Sequence, residues 1–158
     1  MVPGVGPLCP LTGPPPARAP RAGVPPPPPS DHHPANGVAR DLAGGRVSCE
    51  HETRRVTRRE LDGSLTVIAN SFQGKRLNRP NDVIVKSDGC YYFTDPGAFA
   101  VPNQWDLQYS GVYRVTPDLG TISLLVDTYI VPNGLAFSPD ESVLYINDSR
   151  RGHIKAYD

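Results

Sequence analysis

Three segments of this chain repeat one pattern about every fifty residues, and this repeat constrains the fold more than any other feature. Each segment begins with Asn before Gly or Asp, continues as a short apolar strand and a turn, and ends in a second strand. The asparagines are Asn36, Asn81 and Asn133, so the two steps are 45 and 52 residues. A fixed period of this size is typical of repeat architectures. The segments read ANGVARDLAGGRVSCE at 35–50, PNDVIVKSDGCYYFTD at 80–95 and PNGLAFSPDESVLYINDS at 132–149.

The sequence between these segments is also strand-like. Runs rich in Val, Ile, Thr, Tyr and Leu flank the turns LDGS at 61–64 and PDLG at 117–120, and both turns have the residues that such turns need. Four short antiparallel strands per repeat predict an all-β fold and a β-propeller, here of about three blades. The alternative is a run of unrelated hairpins. The predicted blades are residues 35–75, 80–127 and 132–158.

Propeller geometry predicts where the asparagines lie. Equivalent positions in successive blades are related by rotation, so the starts of the innermost strands converge at one mouth of the central channel. Each segment also ends in an acid that returns to that side, which places Asp95 near Asn81 and Asp148 near Asn133. Amide and carboxylate oxygens are hard ligands, and their convergence predicts a site for a divalent cation such as Ca²⁺.

Longer motifs resemble a known family. The stretches RLNRPNDVIVKSDGCYYFTDP, GVYRV and VPNGLAFSPDESVLYINDS are similar to the gluconolactonase, senescence-marker-protein and luciferin-regenerating-enzyme family. ANGVARDLAGGRVSCEHETRRVTR resembles the bacterial gluconolactonase branch. The resemblance covers residues 35–158. It implies a six-bladed propeller that hydrolyses a small-molecule sugar lactone with the help of a divalent metal ion. The expected metal is Ca²⁺, and Zn²⁺ and Mn²⁺ are the alternatives.

The resemblance also assigns residues. Asn133 matches a metal ligand of the family, and Asn81 matches an asparagine that contacts metal or substrate. Arg79 matches a substrate-binding arginine. Asp82, which follows Asn81, is expected to orient the metal-binding and substrate-binding side chains without binding the metal itself. Asp95 is expected to have the same supporting role.

Parts of the family site are missing from the chain. No residue before 35 matches the metal-binding glutamate of the first blade. The aspartate that serves as general base is expected one blade beyond Asn133, past residue 158, so no catalytic residue is assigned. The resemblance therefore predicts a truncated propeller with part of a metal site, which needs self-association or a complementary chain to cover its open blade edges. A non-catalytic propeller fragment that acts as a binding or structural module is the alternative.

The first 34 residues differ from the rest, because they contain 13 of the 19 prolines. This Pro-rich segment is predicted to be disordered. It lacks the unbroken apolar core of a secretory signal, and the chain has no apolar run that could span a membrane, which predicts a cytoplasmic protein. Arg18 and Arg21 precede the first acid, so an organelle transit peptide is an alternative. Sixteen basic and sixteen acidic residues cancel, which argues against a nucleic-acid partner.

Two further groups have both a functional and a structural interpretation. Glu50 and His51 either line the substrate mouth or belong to a solvated loop. Trp105 and Tyr109 lie in a long loop at 97–110, which is either a lid over the channel or a loop packed on its own aromatic side chains.

Overall fold

The structure, a computed structural model, describes residues 35–97 and 105–158. The Pro-rich segment at 1–34 lies outside the described residues. Within the described ranges the chain forms thirteen β-strands and no α-helix, and no helix there could cross a membrane. The strands are β1 Ala35–Arg40, β2 Arg46–Glu50, β3 Arg55–Arg59, β4 Leu65–Ala69, β5 Ser71–Phe72, β6 Lys75–Arg76, β7 Val83–Val85, β8 Tyr91–Asp95, β9 Gly111–Val115, β10 Ile122–Val126, β11 Pro132–Phe137, β12 Leu144–Asp148 and β13 His153–Tyr157.

These strands form three successive antiparallel sheets and one small hairpin. The first sheet has the order β1-β2-β3-β4, the second has the order β7-β8-β9-β10, and the third has the order β11-β12-β13. The hairpin of β5 and β6 joins the first sheet to the second. Each sheet begins with the inner strand that carries one of the repeated asparagines or directly follows it. The prediction of an all-β fold is confirmed.

The second sheet lies between the other two and packs against both. Successive side chains of a strand point to opposite faces. Tyr91 and Phe93 of β8 therefore pack against the first sheet, while Cys90 and Tyr92 pack towards the third. Each of these large apolar side chains contributes ~1.5–3 kcal/mol by leaving water. Cys49 and Cys90 are buried, as expected for small hydrophobic residues.

The inner strands share one irregularity at the asparagines. A β-bulge interrupts the pairing of β1 with β2 between Ala35 and Val38, and another interrupts β11 with β12 between Pro132 and Leu135. A bulge bends the strand and re-aims its side chains, and such bulges are common next to functional sites. Asn36 and Asn133 both lie inside these bulges.

The position directly after the first asparagine, Gly37, has no room for a side chain. A Cβ atom at this position would lie 2.5 Å from the Cα of Asp82, which is closer than real Cβ contacts come. The absence of a side chain lets β1 approach the segment that enters β7. This approach brings the amides of Asn36 and Asn81 together.

Candidate functional site

The side chains of the three repeated asparagines meet at the start of the inner strands. The amide nitrogen of Asn36 donates to the side-chain oxygen of Asn81, and the amide nitrogen of Asn81 donates to the side-chain oxygen of Asn133. Asn133 in turn donates to the Ser149 hydroxyl at 2.9 Å. We call Asn36, Asn81 and Asn133 the amide cluster. The structure therefore brings the predicted ligands Asn81 and Asn133 into direct contact and adds Asn36.

His51 lies at the same place. Its Nε2 atom is 3.1 Å from the amide nitrogen of Asn36. Because an amide nitrogen only donates, Nε2 accepts in this arrangement and the ring proton lies on Nδ1. Partial burial lowers the pKa of His51, the positive charge of Arg79 lowers it further, and a hydrogen bond with Asn81 works in the opposite direction. The imidazole beside the amide cluster is therefore neutral at neutral pH.

Asp95 fixes the segment that carries Arg79 and Asn81. One of its carboxylate oxygens accepts from the backbone N–H of Asn78 at 2.7 Å, and the other accepts from that of Arg79 at 2.7 Å. Asp95 thus acts on the backbone that precedes Asn81, which positions the predicted substrate-binding arginine and the amide cluster together.

Asp82 lies between neighbouring inner strands. One carboxylate oxygen accepts from its neighbour Val83, and the other accepts from the backbone N–H of Leu135 in β11 at 3.2 Å. This second contact ties the segment after Asn81 to the strand that carries Asn133. A cavity of about 340 Å³ opens here, beside the amide cluster. Its lining residues are Asp82, Gly134, Leu135, Ala136, Tyr145, Asn147 and Ile154.

The acid that ends the third segment, Asp148, has a matching structural role. Its carboxylate accepts from the backbone N–H groups of Ile130 and Val131, which lie at the same distance before Asn133 as Asn78 and Arg79 lie before Asn81. It also accepts from the N–H groups of Arg150 and Arg151. A carboxylate with four backbone donors is a clamp for the chain.

The acid of the first segment binds side chains instead. Glu50 is 4% exposed and accepts from Thr53, Arg55 and Thr57. Burial opposes its ionisation, but these three donors outweigh burial and lower the pKa of Glu50. In this structure Glu50 supports the turn after β2, and His51 is the member of the pair that reaches the amide cluster.

Asp95 and Asp148 accept different numbers of backbone hydrogen bonds, and their pKa values shift in opposite directions. Burial raises the pKa of Asp95 to about 7, although the N–H groups of Asn78 and Arg79 and the charge of Arg54 act against burial. Burial also opposes ionisation of Asp148, but its backbone donors prevail and lower the pKa of that carboxyl. Asp95 is therefore the clamp that changes charge near neutral pH.

We expect Asp95 to make stability depend on pH. Its folded pKa of about 7 lies above the ordinary value, so the folded protein holds a proton that the unfolded chain has released. The contribution of Asp95 is therefore full at low pH and is lost as pH rises to about 7, by about 1.4 kcal/mol per pH unit. Urea unfolding at pH 5, 6, 7 and 8 should show wild type losing stability relative to Asp95→Asn. Parallel profiles would contradict this, and the exposed Asp62→Asn variant is the control.

The described part of the long loop is anchored to the body of the protein. Trp105 packs against Gly97, where an added Cβ would lie 2.4 Å from the indole nitrogen. The carbonyl of Tyr109 accepts from the side chain of Asn78 at 2.8 Å, and the carboxylate of Asp106 binds Arg54 at 2.7 Å. Residues 98–104 of the predicted lid lie outside the described residues. For the part described, packing on the body of the protein is the better interpretation.

The donor set of the amide cluster fits the neutral part of a metal site. Each amide can present its oxygen by rotation about one bond, and oxygen ligands suit hard divalent cations. Across residues 35–97 and 105–158, no group of three or more His, Cys, Asp or Glu side chains could hold a metal ion. The nearby acids Asp82, Asp95 and Asp148 all accept from backbone N–H groups. Within the described ranges, the cluster thus offers neutral ligands.

The sequence assigns no firm role to two residues of the site. Asn36 is the first member of the repeat, and His51 is predicted either to line the substrate mouth or to belong to a solvated loop. His51 directly follows Glu50, just as Ser149 directly follows Asp148, and both contact the asparagine of their own segment. The residues that follow the three acids are His51, Pro96 and Ser149, which differ in type, so the shared contact is visible only in the structure.

Comparisons with known proteins agree with this architecture. The family model described as the SMP-30/Gluconolactonase/LRE-like region matches residues 27–158. A gluconolactonase of Zymomonas mobilis is 40% identical over 91 residues, which cover 54% of this chain and 25% of that protein. A solved gluconolactonase of Xanthomonas campestris aligns with a TM-score of 0.70 and 40% identity, over 77% of this chain and 43% of that one.

A more distant structure is similar in fold alone. Virginiamycin B lyase of Staphylococcus aureus aligns with a TM-score of 0.55 at 17% identity, over 78% of this chain and 41% of that one. The predicted β-propeller is confirmed by these neighbours together with the three repeated sheets. The chain spans less than half the length of the solved relatives it matches and about a quarter of the curated one.

Proposed function

Because this chain belongs to the SMP-30/gluconolactonase/LRE-like family, we propose that it acts in the hydrolysis of a small-molecule lactone, with the amide cluster at the centre of the site. The contact among Asn36, Asn81 and Asn133 is the observation that carries this proposal. The family match and the similarity to proteins named gluconolactonase support the substrate class.

The proposed site includes a divalent cation, with Ca²⁺ as the first candidate and Zn²⁺ or Mn²⁺ as alternatives. Asn81 and Asn133 would hold it through their amide oxygens, and Asn36 adds a third such group. When bound, the cation supplies Lewis-acid polarisation of the lactone carbonyl. Neutral ligands leave most of its positive charge available for this effect.

The residues around the amide cluster bind and orient the substrate. The guanidinium of Arg79 has a planar set of donors that fits ring oxygens and hydroxyl groups. Asp95 holds the backbone of Arg79, and Asp82 holds β11 against the segment after Asn81, so both keep the binding groups in fixed relation.

We expect the chain to hydrolyse glucono-δ-lactone in a metal-dependent way, and Asn133→Ala to lower kcat/KM by about 100-fold because a ligand is lost. Acid release in a weakly buffered solution with a pH indicator measures the rate. Removal of metal with EDTA and its return as Ca²⁺, Mn²⁺ or Zn²⁺ tests the cation. Asn70→Ala is the matched control, since Asn70 is exposed and lies at the end of β4.

The second candidate is a binding module without catalysis. It is favoured by one observation, that the acids nearest the amide cluster accept from backbone N–H groups. This function would show as metal-dependent binding of the lactone, measured by calorimetry, with no hydrolysis above the spontaneous rate. Equal rates for wild type and Asn133→Ala, with no binding, would contradict both candidates.

We also propose that a second copy or a complementary chain covers the open side of the third sheet. Tyr145 is 41% exposed and Ile154 is 69% exposed, and cross-strand register places both on the face turned away from the second sheet. Large apolar side chains that share one exposed sheet face are typical of an interaction surface.

A further inference from the structure

His51 and Asn81 direct their acceptor atoms at one point. The amide nitrogen of Asn36 contacts Nε2 of His51 at 3.1 Å and also contacts the side-chain oxygen of Asn81. Nε2 of His51 and the side-chain oxygen of Asn81 both contact this one amide nitrogen, so the two atoms are close enough to bind a single metal ion together. The imidazole therefore faces the centre of the amide cluster.

The position of His51 is set by the fold and does not depend on chance contact at the surface. It lies in the turn after β2, and Glu50 braces that turn through Thr53, Arg55 and Thr57. The equivalent residue of the third segment, Ser149, also reaches the asparagine of its own segment. The repeat thus places one side chain beside each of these two amides, and in the first segment that side chain is an imidazole.

We propose that His51 is a nitrogen ligand of the divalent cation at the amide cluster, and that it shifts the preference of the site from Ca²⁺ towards Mn²⁺, Co²⁺ or Zn²⁺. The inference rests on the metal site of the proposed function. Ca²⁺ takes oxygen ligands, whereas imidazole nitrogen suits the later first-row divalent metals. A mixed set of one nitrogen and several amide oxygens selects the second group.

The test uses the full chain, Co²⁺ as a spectroscopic probe and Ca²⁺ as the comparison. The visible absorption of bound Co²⁺ depends on its ligands, and calorimetry measures both affinities. We expect His51→Gln to weaken Co²⁺ binding about tenfold or more and to change its spectrum. Ca²⁺ affinity should change less than about threefold, because the amide oxygens remain. His153→Gln is the control. His153 lies in β13, and its ring lies beside that of Tyr129 and not at the amide cluster.

A second measurement observes the imidazole nitrogens directly. In wild-type protein, long-range ¹H–¹⁵N NMR follows the two ring nitrogens of each histidine while Zn²⁺ is added. A shift of Nε2 of one imidazole, absent from the spectra of His51→Gln, supports the inference. Unchanged imidazole resonances, absent Co²⁺ binding, or equal losses of Co²⁺ and Ca²⁺ affinity in His51→Gln would overturn it.

Lactone hydrolysis is measured on the same samples, so the two ideas fail separately. A His51-dependent Co²⁺ spectrum without hydrolysis leaves the ligand assignment standing and removes the proposed function. Metal-dependent hydrolysis together with a Co²⁺ spectrum that His51→Gln does not alter supports the proposed function and overturns the assignment of His51 as a ligand.

Discussion

Asp148→Ala is expected to lower the free energy of unfolding by about 3–5 kcal/mol, because four backbone N–H groups lose a buried acceptor. The side chain of Asp148 is fully buried and accepts from the backbone N–H groups of Ile130, Val131, Arg150 and Arg151. Alanine leaves these four donors without their partner. Urea unfolding followed by circular dichroism measures the loss.

Two further variants make this result specific. Asp148→Asn keeps one acceptor oxygen and the shape of the side chain, so its loss should be intermediate. Asp140→Ala removes an exposed carboxylate that binds Ser138 and Ser142 in the turn between β11 and β12, and its effect on stability should be much smaller. If Asp148→Ala and Asp140→Ala lose equal stability, the clamp assigned to Asp148 is wrong.

Arg54→Met is expected to cost about 3–4 kcal/mol, since it removes a buried cation while keeping a side chain of similar length. The Arg54 side chain is 6% exposed. Its Nε atom donates to the carbonyls of Leu77 at 2.6 Å and Asn78 at 3.0 Å, and its terminal nitrogen binds Asp106 at 2.7 Å. The change therefore loosens both the segment before Arg79 and the described part of the long loop.

The chain contains a single tryptophan, Trp105, next to Asp106, so its fluorescence reports on this loop directly. We expect Arg54→Met to shift the Trp105 emission to the red and to increase quenching by iodide. Asp106→Asn should cost only about 1 kcal/mol, because the Asp106 side chain is 42% exposed. Arg150→Met, on an exposed turn, is the control. Unchanged emission with full stability in Arg54→Met would contradict the assigned role.

The repeat predicted much of the fold because each blade follows the same local rules. Alternating apolar residues and turn residues such as Asp62-Gly63 predict strands and turns without knowledge of neighbouring sheets. The hairpin of β5 and β6 was not predicted, because each strand has only two residues and its turn depends on positive φ at Gln73 and Gly74. Such short elements have too little periodicity to be seen in a sequence.

The site was predictable only in part. Rotation about the propeller axis predicts that Asn81 and Asn133 converge, and the structure places them in contact. The sequence predicts that Asp95 supports the site, but it does not predict which groups Asp95 binds. Its contacts with the N–H groups of Asn78 and Arg79 depend on the course of the backbone before Asn81, which the repeat does not specify.

The line of hydrogen bonds from Asn36 through Asn81 and Asn133 to Ser149 has a direction, since Asn36 donates into it and Asn81 and Asn133 each accept from one neighbour and donate to the next. Turning a single amide would set two donors or two acceptors face to face, so the members reverse together. Asn81 is the amide that joins the first sheet to the third, because it accepts from Asn36 and donates to Asn133.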